Sequence, residues 1–205
     1  MFVVFLTGGL ASGKTTVAAW LVEKGAIVLD LDQIAKQEQE TAAVLVELTI
    51  AFGSDIVDTQ GKLDRKLLAE RAFVSKQNAD KLNAICWPPV TKRLSEYINQ
   101  ARSDQHMEQR LVVVQVPMLV EASALIPLAD EIVTVSAPEE LRLDRALERG
   151  MTGLDARRRL NNQAADAKRE AIADTVFHNS GSLEQLFEAV DDWYFAHQKA
   201  GHFDV

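Results

Sequence analysis

Along this chain, short continuous apolar runs alternate with longer stretches in which apolar residues return every three or four positions, the pattern of strands alternating with helices. Phe2 to Leu6 is apolar and rich in β-prone residues, as a strand buried on both faces would be. Thr7-Gly8-Gly9 breaks the run. From Lys14, the spacing of Val17, Trp20, Leu21 and Lys24, with Gly25 as a stop, predicts a helix. Ala26 to Leu29 reads as a second buried strand that runs into Asp30-Leu31-Asp32.

From about Gln33 to Arg102 the pattern is mainly helical. Leu63, Leu67, Leu68 and Phe73 recur at roughly helical spacing, Asn78 is a candidate cap for a short helix ended by Pro88, and Val90, Leu94, Tyr97 and Ala101 mark another. These helices read as a substrate-side cap inserted between strands. Leu111 to Val116 is the strongest strand signal, and Pro117 ends it. Glu131 to Val135 is a fourth strand, followed by a capping box over Ser136 to Glu139 and a helix to Gly150. A helix rich in Arg and Gln starts at Asp155, a short strand spans Thr175 to Phe177, and Ser182 to Gln185 forms a second capping box. The last helix carries Leu183, Leu186, Phe187, Val190 and Tyr194 on one face. Five strands joined by helical crossovers imply a mostly parallel α/β sheet covered on both faces.

The chain has 205 residues, of which 47% are hydrophobic and 25% charged, enough for one domain with a full core and no need of disulfides or a structural metal. Its single cysteine, Cys86, points to a reducing compartment. The apolar run at the N-terminus has no basic flank and is too short for a signal peptide or a membrane span, so the expectation is a cytoplasmic, soluble protein without a membrane partner. A net charge of -8 argues against general nucleic-acid binding, though local arginines can still focus a field on an anion. The four histidines are scattered and form no ligand spacing for a protein-built metal site.

Gly8 to Thr15 matches G-x-x-x-x-G-K-[ST] in full, between an expected strand and an expected helix. Glycines let successive backbone N–H groups converge on phosphate oxygens, and the following helix turns its positive end to the same point. The phosphate-contacting positions are then Gly9, Leu10, Ala11, Ser12, Gly13, Lys14, Thr15 and Thr16, with Lys14 reaching the β- and γ-phosphates of a nucleoside triphosphate. The Thr15 hydroxyl is the expected protein ligand of Mg²⁺, which the phosphates hold more than the protein does. Gln115 and Pro117 stand where an ATPase would carry its Walker-B carboxylate, and no N-K-x-D guanine signature is present. Asp30 and Asp32 close the second strand, where residues two apart share a face and one carboxylate could point at the transferring phosphoryl group. The competing reading is a solvated turn with a helix cap. Arg142, Arg145 and Arg149 share a helix face, and Arg157, Arg158, Arg159, Lys168 and Arg169 follow; their planar cations suit phosphoryl oxygens, and a solvated face is the alternative.

Several ordered segments carry a resemblance to the dephospho-coenzyme A kinase family, of the P-loop nucleoside-monophosphate-kinase-like fold. LTGGLASGKTTV, VLDLDQIAK, FGSDIVDTQGKLDRKLL, LNAICWPPV, VVVQVPMLVE, RALERG, Gln163, KREAIAD and HNSG follow one another as the family's segments do, from Leu6 to about Gly181. The resemblance implies a core over about residues 1–35, 108–140 and 172–205, a helical substrate subdomain over about 36–107, and an Arg-rich lid over about 141–171. It implies ATP and Mg²⁺ as cofactors and dephospho-CoA as substrate, in a monomer or weak homo-oligomer. Asp32 matches the presumed general base, Arg65 a substrate-side arginine, and Arg145 and Arg149 the lid arginines that close over ATP. Lys14, Arg145 and Asp32 form the expected catalytic set; Glu121, Gln163, Arg169 and Asn179 match further family positions, with Glu121 on the substrate side. Trp87 stands for the usual His, Lys36 for Arg, Val120 for Phe, and QEQETAAV for a Pro-Gly segment; all fall on the substrate side. A related small-molecule kinase and a non-catalytic nucleotide-binding module remain as alternatives.

Overall fold

The computed structural model describes residues 1–104, 106 and 110–204. Five strands form one parallel sheet: β1 (Phe2–Gly8), β2 (Ile27–Asp30), β3 (Leu111–Gln115), β4 (Glu131–Ser136) and β5 (Thr175–His178), in the order β2-β3-β1-β4-β5. β1 lies at the centre, with Phe2 to Leu6 registered on Leu111 to Gln115 and Val4 to Gly8 on Glu131 to Val135. Consecutive residues Val3, Val4, Phe5 and Leu6 are all buried, so both faces of the central strand are covered, as its unbroken apolar run requires.

The chain divides into two compact units, one of Met1–Asp30 with Gln100–Val205 and one of Leu31–Asn99. In the first unit, α1 (Lys14–Glu23) and α9 (Leu183–Lys199) pack on one sheet face. Val17 and Leu21 meet Val4, Leu6, Val113 and Val135, and Leu186, Val190, Trp193 and Tyr194 complete the cluster. The capping box at Ser182 is present in full. Leu183 departs from the expected apolar face: it is half exposed, and Trp193 takes its place in the core. Phe187 leaves the core face to stack on Trp20, with ring centroids 4.1 Å apart.

Glu131, at the first residue of β4, fastens α9 to the sheet. Its carboxylate accepts from Trp193 Nε1 at 2.9 Å and Thr175 Oγ1 at 2.7 Å, and lies 2.7 Å from His197 Nε2. Only 7% of the residue is exposed.

The boundary expected at 107–108 lies outside the described residues. The second unit holds α2 (Leu31–Gln39), α3 (Ala42–Phe52), α4 (Arg65–Ala72) and all but the last three residues of α5 (Lys76–Arg102). Val44, Leu48, Phe52, Ile56, Leu63, Leu68 and Ala72 form its core. Leu63 precedes α4 in an isolated antiparallel bridge with Val57, and Phe73 is exposed, so the helical spacing inferred over these residues holds only for its middle. Asp64 caps α4, accepting from the Lys66 and Leu67 N–H groups.

The proline at 88 does not end a helix. α5 runs through both Pro88 and Pro89 to Arg102. A mid-helix proline costs about 3 kcal/mol. Here half-buried Leu82, Ile85 and Cys86 precede the pair, and fully buried Val90, Leu94 and Ile98 follow it, so packing on both flanks offsets the lost backbone bonds. Asn78 is not the cap either: its N–H donates to Ser75 Oγ at 3.2 Å, and its side chain donates to the Arg71 carbonyl. Burial raises the Cys86 thiol above its ordinary pKa, which leaves it a packing residue rather than a nucleophile.

Replacing Glu131 with Ala leaves Trp193 and His197 without their acceptor in a buried site. We expect a loss of about 3 kcal/mol, or roughly 6–12 °C in Tm for a chain of this size. Thermal unfolding checks it; an unchanged Tm would show that α9 is held by apolar packing alone.

Candidate nucleotide-phosphate site

The turn from β1 into α1 forms a phosphate loop because its backbone adopts conformations that a strand–helix junction ordinarily avoids. Ala11 has a φ of 55° and Gly13, the residue before α1, a φ of 107°. At Gly13 the lack of a side chain matters twice: the positive φ disfavours any other residue, and a Cβ there would overlap Asn179 Nδ2. Asn179 is buried and donates to the Ser12 carbonyl at 2.8 Å, which turns that oxygen away from any anion in the loop.

Three further contacts hold the loop from the C-terminal half of the chain. Gln163 Oε1 accepts from the Leu10 N–H at 2.7 Å. The side chains of Leu10 and Ala11 pack with Leu143, Ala146, Met151 and Ala156, which belong to α6 (Glu139–Glu148), α7 (Gly153–Asn162) and the turn between them. Arg142 and Arg169 press on Gly9: a Cβ there would overlap Arg142 Nη1 and stand 2.8 Å from Arg169 Nη2.

The loop borders a cleft of about 210 Å³ lined by Gly8 to Thr15 with Pro117, Arg149 and Gln163. A second cleft, of about 220 Å³, shares Ala11, Gly13 and Arg149 with the first and adds Thr16, Arg145, Asn179, Gly181 and Leu183. Every expected loop residue thus lines one or both. Arg145 donates to the Asn179 carbonyl at 3.2 Å and to its Oδ1 at 3.4 Å, while Arg149 caps the C-terminus of α6 and is exposed. Arg157, Arg158 and Arg159 are exposed on α7.

Two local expectations are corrected. Ser136 does not cap α6; Pro138 occupies the cap position without a side-chain bond. β4 extends through Ser136, whose Oγ donates to Glu170 Oε1 at 2.6 Å. The helix expected from Asp155 starts earlier, at Gly153, because Thr152 caps it by accepting from the Asp155 N–H.

The two aspartates do not share one strand face. β2 ends at Asp30, and Asp32 stands in the first turn of α2, exposed, where a carboxylate complements the helix dipole. The period-two argument fails because the strand stops one residue before it would apply. Arg65 belongs to the second unit: its guanidinium donates to Gln39 Oε1 at 2.5 Å, to Glu40 Oε1 at 2.8 Å and to the Lys36 carbonyl at 2.9 Å. Glu121 is exposed in the turn after β3 and does not line the loop cleft.

Arg142 is the feature that sequence spacing left undistinguished. It appeared as one of three arginines on a helix face, yet it is 5% exposed while Arg149 is open to solvent. Leu143 and Ala146 were the available signal, since they place the buried face of α6 beside Arg142.

Comparison with known proteins agrees with this geometry. The sequence pattern of the family described as dephospho-CoA kinase (CoaE) matches residues 2–185. The chain belongs to the dephospho-CoA kinase family. A dephospho-CoA kinase of Corynebacterium jeikeium is 39% identical over 95% of this chain and 98% of its own length. One from Fusobacterium nucleatum is 35% identical over 93% and 96%. A crystal structure from Thermus thermophilus superposes with a TM-score of 0.78 at 30% identity, covering 95% of this chain and 97% of its own. Family membership implies ATP-dependent phosphoryl transfer.

Gly13→Ala should retain the sheet but weaken ADP binding by about tenfold or more, since it adds left-handed backbone strain and displaces Asn179. Calorimetric titration measures it; wild-type affinity would show that the loop tolerates a side chain there.

Proposed function

We propose that this chain transfers the γ-phosphoryl group of ATP to the ribose 3′-hydroxyl of dephospho-CoA, giving coenzyme A and ADP, in the cytoplasm. The observation that carries the reading is the pair of clefts sharing Ala11, Gly13 and Arg149, within a chain that matches the dephospho-CoA kinase family from residue 2 to 185. One cleft, walled by loop backbone and Lys14, suits the polyphosphate. The other, with Arg145, Arg149 and Leu183, suits a flat base, which arginine planes and apolar side chains both accept.

On this reading, loop N–H groups and Lys14 hold the β- and γ-phosphates and gather the charge that develops during transfer. Thr15, exposed in the cleft, fits a hard cation that prefers oxygen ligands, and Mg²⁺ bound there with the phosphates would neutralise part of their charge. Arg149, which lines both clefts, neutralises the transferring oxygens, and Arg145 closes over ATP from the second cleft. Asp32 orients the 3′-hydroxyl and accepts its proton, and Arg65 and Glu121 contribute to holding the acceptor.

The direct test is incubation with Mg·ATP and a panel of hydroxyl acceptors, followed by ADP release and product mass. Phosphorylated dephospho-CoA is the expected product; ADP release with another acceptor in its place would overturn the substrate assignment. Lys14→Ala should slow transfer about a hundredfold or more without unfolding the chain. Asp32→Asn should keep ATP affinity and slow transfer by roughly a hundredfold to ten-thousandfold, the usual contribution of a positioned base. Normal turnover in Asp32→Asn would remove that residue from the mechanism.

A further inference from the structure

Behind the phosphate loop, two buried arginines, Arg142 on α6 and Arg169 on α8 (Asp166–Glu170), share one carboxylate. Arg142 Nη2 lies 2.8 Å from Asp166 Oδ2, and Arg169 Nη2 bonds the other oxygen, Oδ1. The arginine side chains are 6% and 4% exposed. Each is also tied to backbone: Arg142 Nε donates to the Ala137 carbonyl at 3.1 Å and Arg169 Nη1 to the Ala164 carbonyl. Glu170, the neighbouring carboxylate, accepts from Ser136 Oγ. Arg169 Nε is buried and makes no hydrogen bond among the described residues.

Two buried guanidinium groups and one carboxylate, whose own side chain is 24% exposed, leave a net charge of one positive unit against Gly9. Such a charge is costly unless an anion compensates it. Apolar packing alone would be served better by uncharged side chains. Neither arginine is among the residues that line the loop cleft; both reach the loop at Gly9.

We propose that the buried Arg142 and Arg169, joined by the partly exposed Asp166, form a charge platform that raises the affinity of the phosphate loop for a nucleoside polyphosphate without touching it, acting through the Gly9 backbone. Arg142 and Arg169 are then positioning residues of the site. The platform's field reaches the cleft through protein rather than water, where a unit charge keeps much of its strength. Asp166 has two effects: it fixes both guanidinium groups, and it trims their charge from two units to one. The proposal rests on the reading of the loop as a nucleotide site.

The experiment restores the charge without restoring the contacts. ADP affinity is measured by calorimetry for the wild-type chain, Arg142→Met and Arg142→Met/Asp166→Asn, with thermal unfolding to establish that each is folded. Arg142→Met lowers the platform to neutral and should weaken ADP binding on the order of tenfold, the effect of one unit charge several ångströms away in a medium of protein-like polarity. The double variant returns the charge to one positive unit on Arg169 and should recover most of that loss, although it has fewer hydrogen bonds. A purely structural clamp gives the opposite order, with the double variant weaker than the single one, and that order would overturn the proposal. So would wild-type affinity in Arg142→Met. If Arg142→Met does not fold, Arg142→Gln replaces it, with the same pair of expectations. A wild-type chain that binds no ADP would remove both the platform and the nucleotide reading; normal ADP binding with indifferent variants would remove the platform alone.

Discussion

The site depends on one constraint: the backbone between Gly8 and Lys14 must keep a tight turn with positive φ at Ala11 and Gly13, conformations that most residues resist. Such a loop does not keep its shape by itself. It is flanked by the central strand and by α1, and its outer side is closed by contacts more than a hundred residues away in sequence: Asn179 on the Ser12 carbonyl, Gln163 on the Leu10 N–H, and the Arg142–Asp166–Arg169 group on Gly9. Each satisfies or blocks a group that would otherwise point the wrong way. The left-handed Ala11 is tolerated because its methyl packs in the small cluster with Ala146 and Ala156.

This arrangement makes the segment from α6 to β5 part of the site. A phosphate loop on a bare strand–helix unit would bind an anion but would have nothing to tell one nucleotide from another. Here the residues that brace the loop are interleaved with residues that line the second cleft. Arg142 and Arg145 are neighbours on α6, one buried on the loop and one in the cleft wall. Asn179 does both, bonding Ser12 on one side and Arg145 on the other. Movement of α6 would therefore alter the loop and the second cleft together.

Much of this was legible in the sequence, for physical reasons that differ by element. The buried strands were readable because a parallel sheet covered on both faces favours unbroken apolar runs in its central strands; Phe2 to Leu6 of β1 and Leu111 to Val114 of β3 show this. The loop was readable because few residue types satisfy its backbone. The α9 cap was readable because Ser182 and Gln185 act locally. What local patterns concealed were outcomes decided by distant partners. Pro88 and Pro89 carry a strong local stop signal, which the buried residues on either side override. Ser136 looked like a cap because its later partner, Glu170, lies 34 positions away. Asp30 and Asp32 looked like a strand pair because nothing in three residues reveals where a strand becomes a helix.

The arginines show where sequence reasoning stops. Seven arginines between 142 and 169 are alike in a charge count, and their uneven density suggested a single electrostatic role. Burial divides them by function: Arg157, Arg158 and Arg159 are in solvent, Arg145 and Arg149 line clefts, and Arg142 and Arg169 are enclosed. An enclosed arginine needs a carboxylate, and one carboxylate between two arginines leaves a surplus. The chain is acidic overall, so its surface field does not favour a polyphosphate. A positive charge kept out of water beside the loop acts where the ligand binds and is screened little by salt. The acidic exterior and the buried cationic group are therefore compatible: the first sets the behaviour of the molecule in solution, the second the local preference of one turn of backbone for anions.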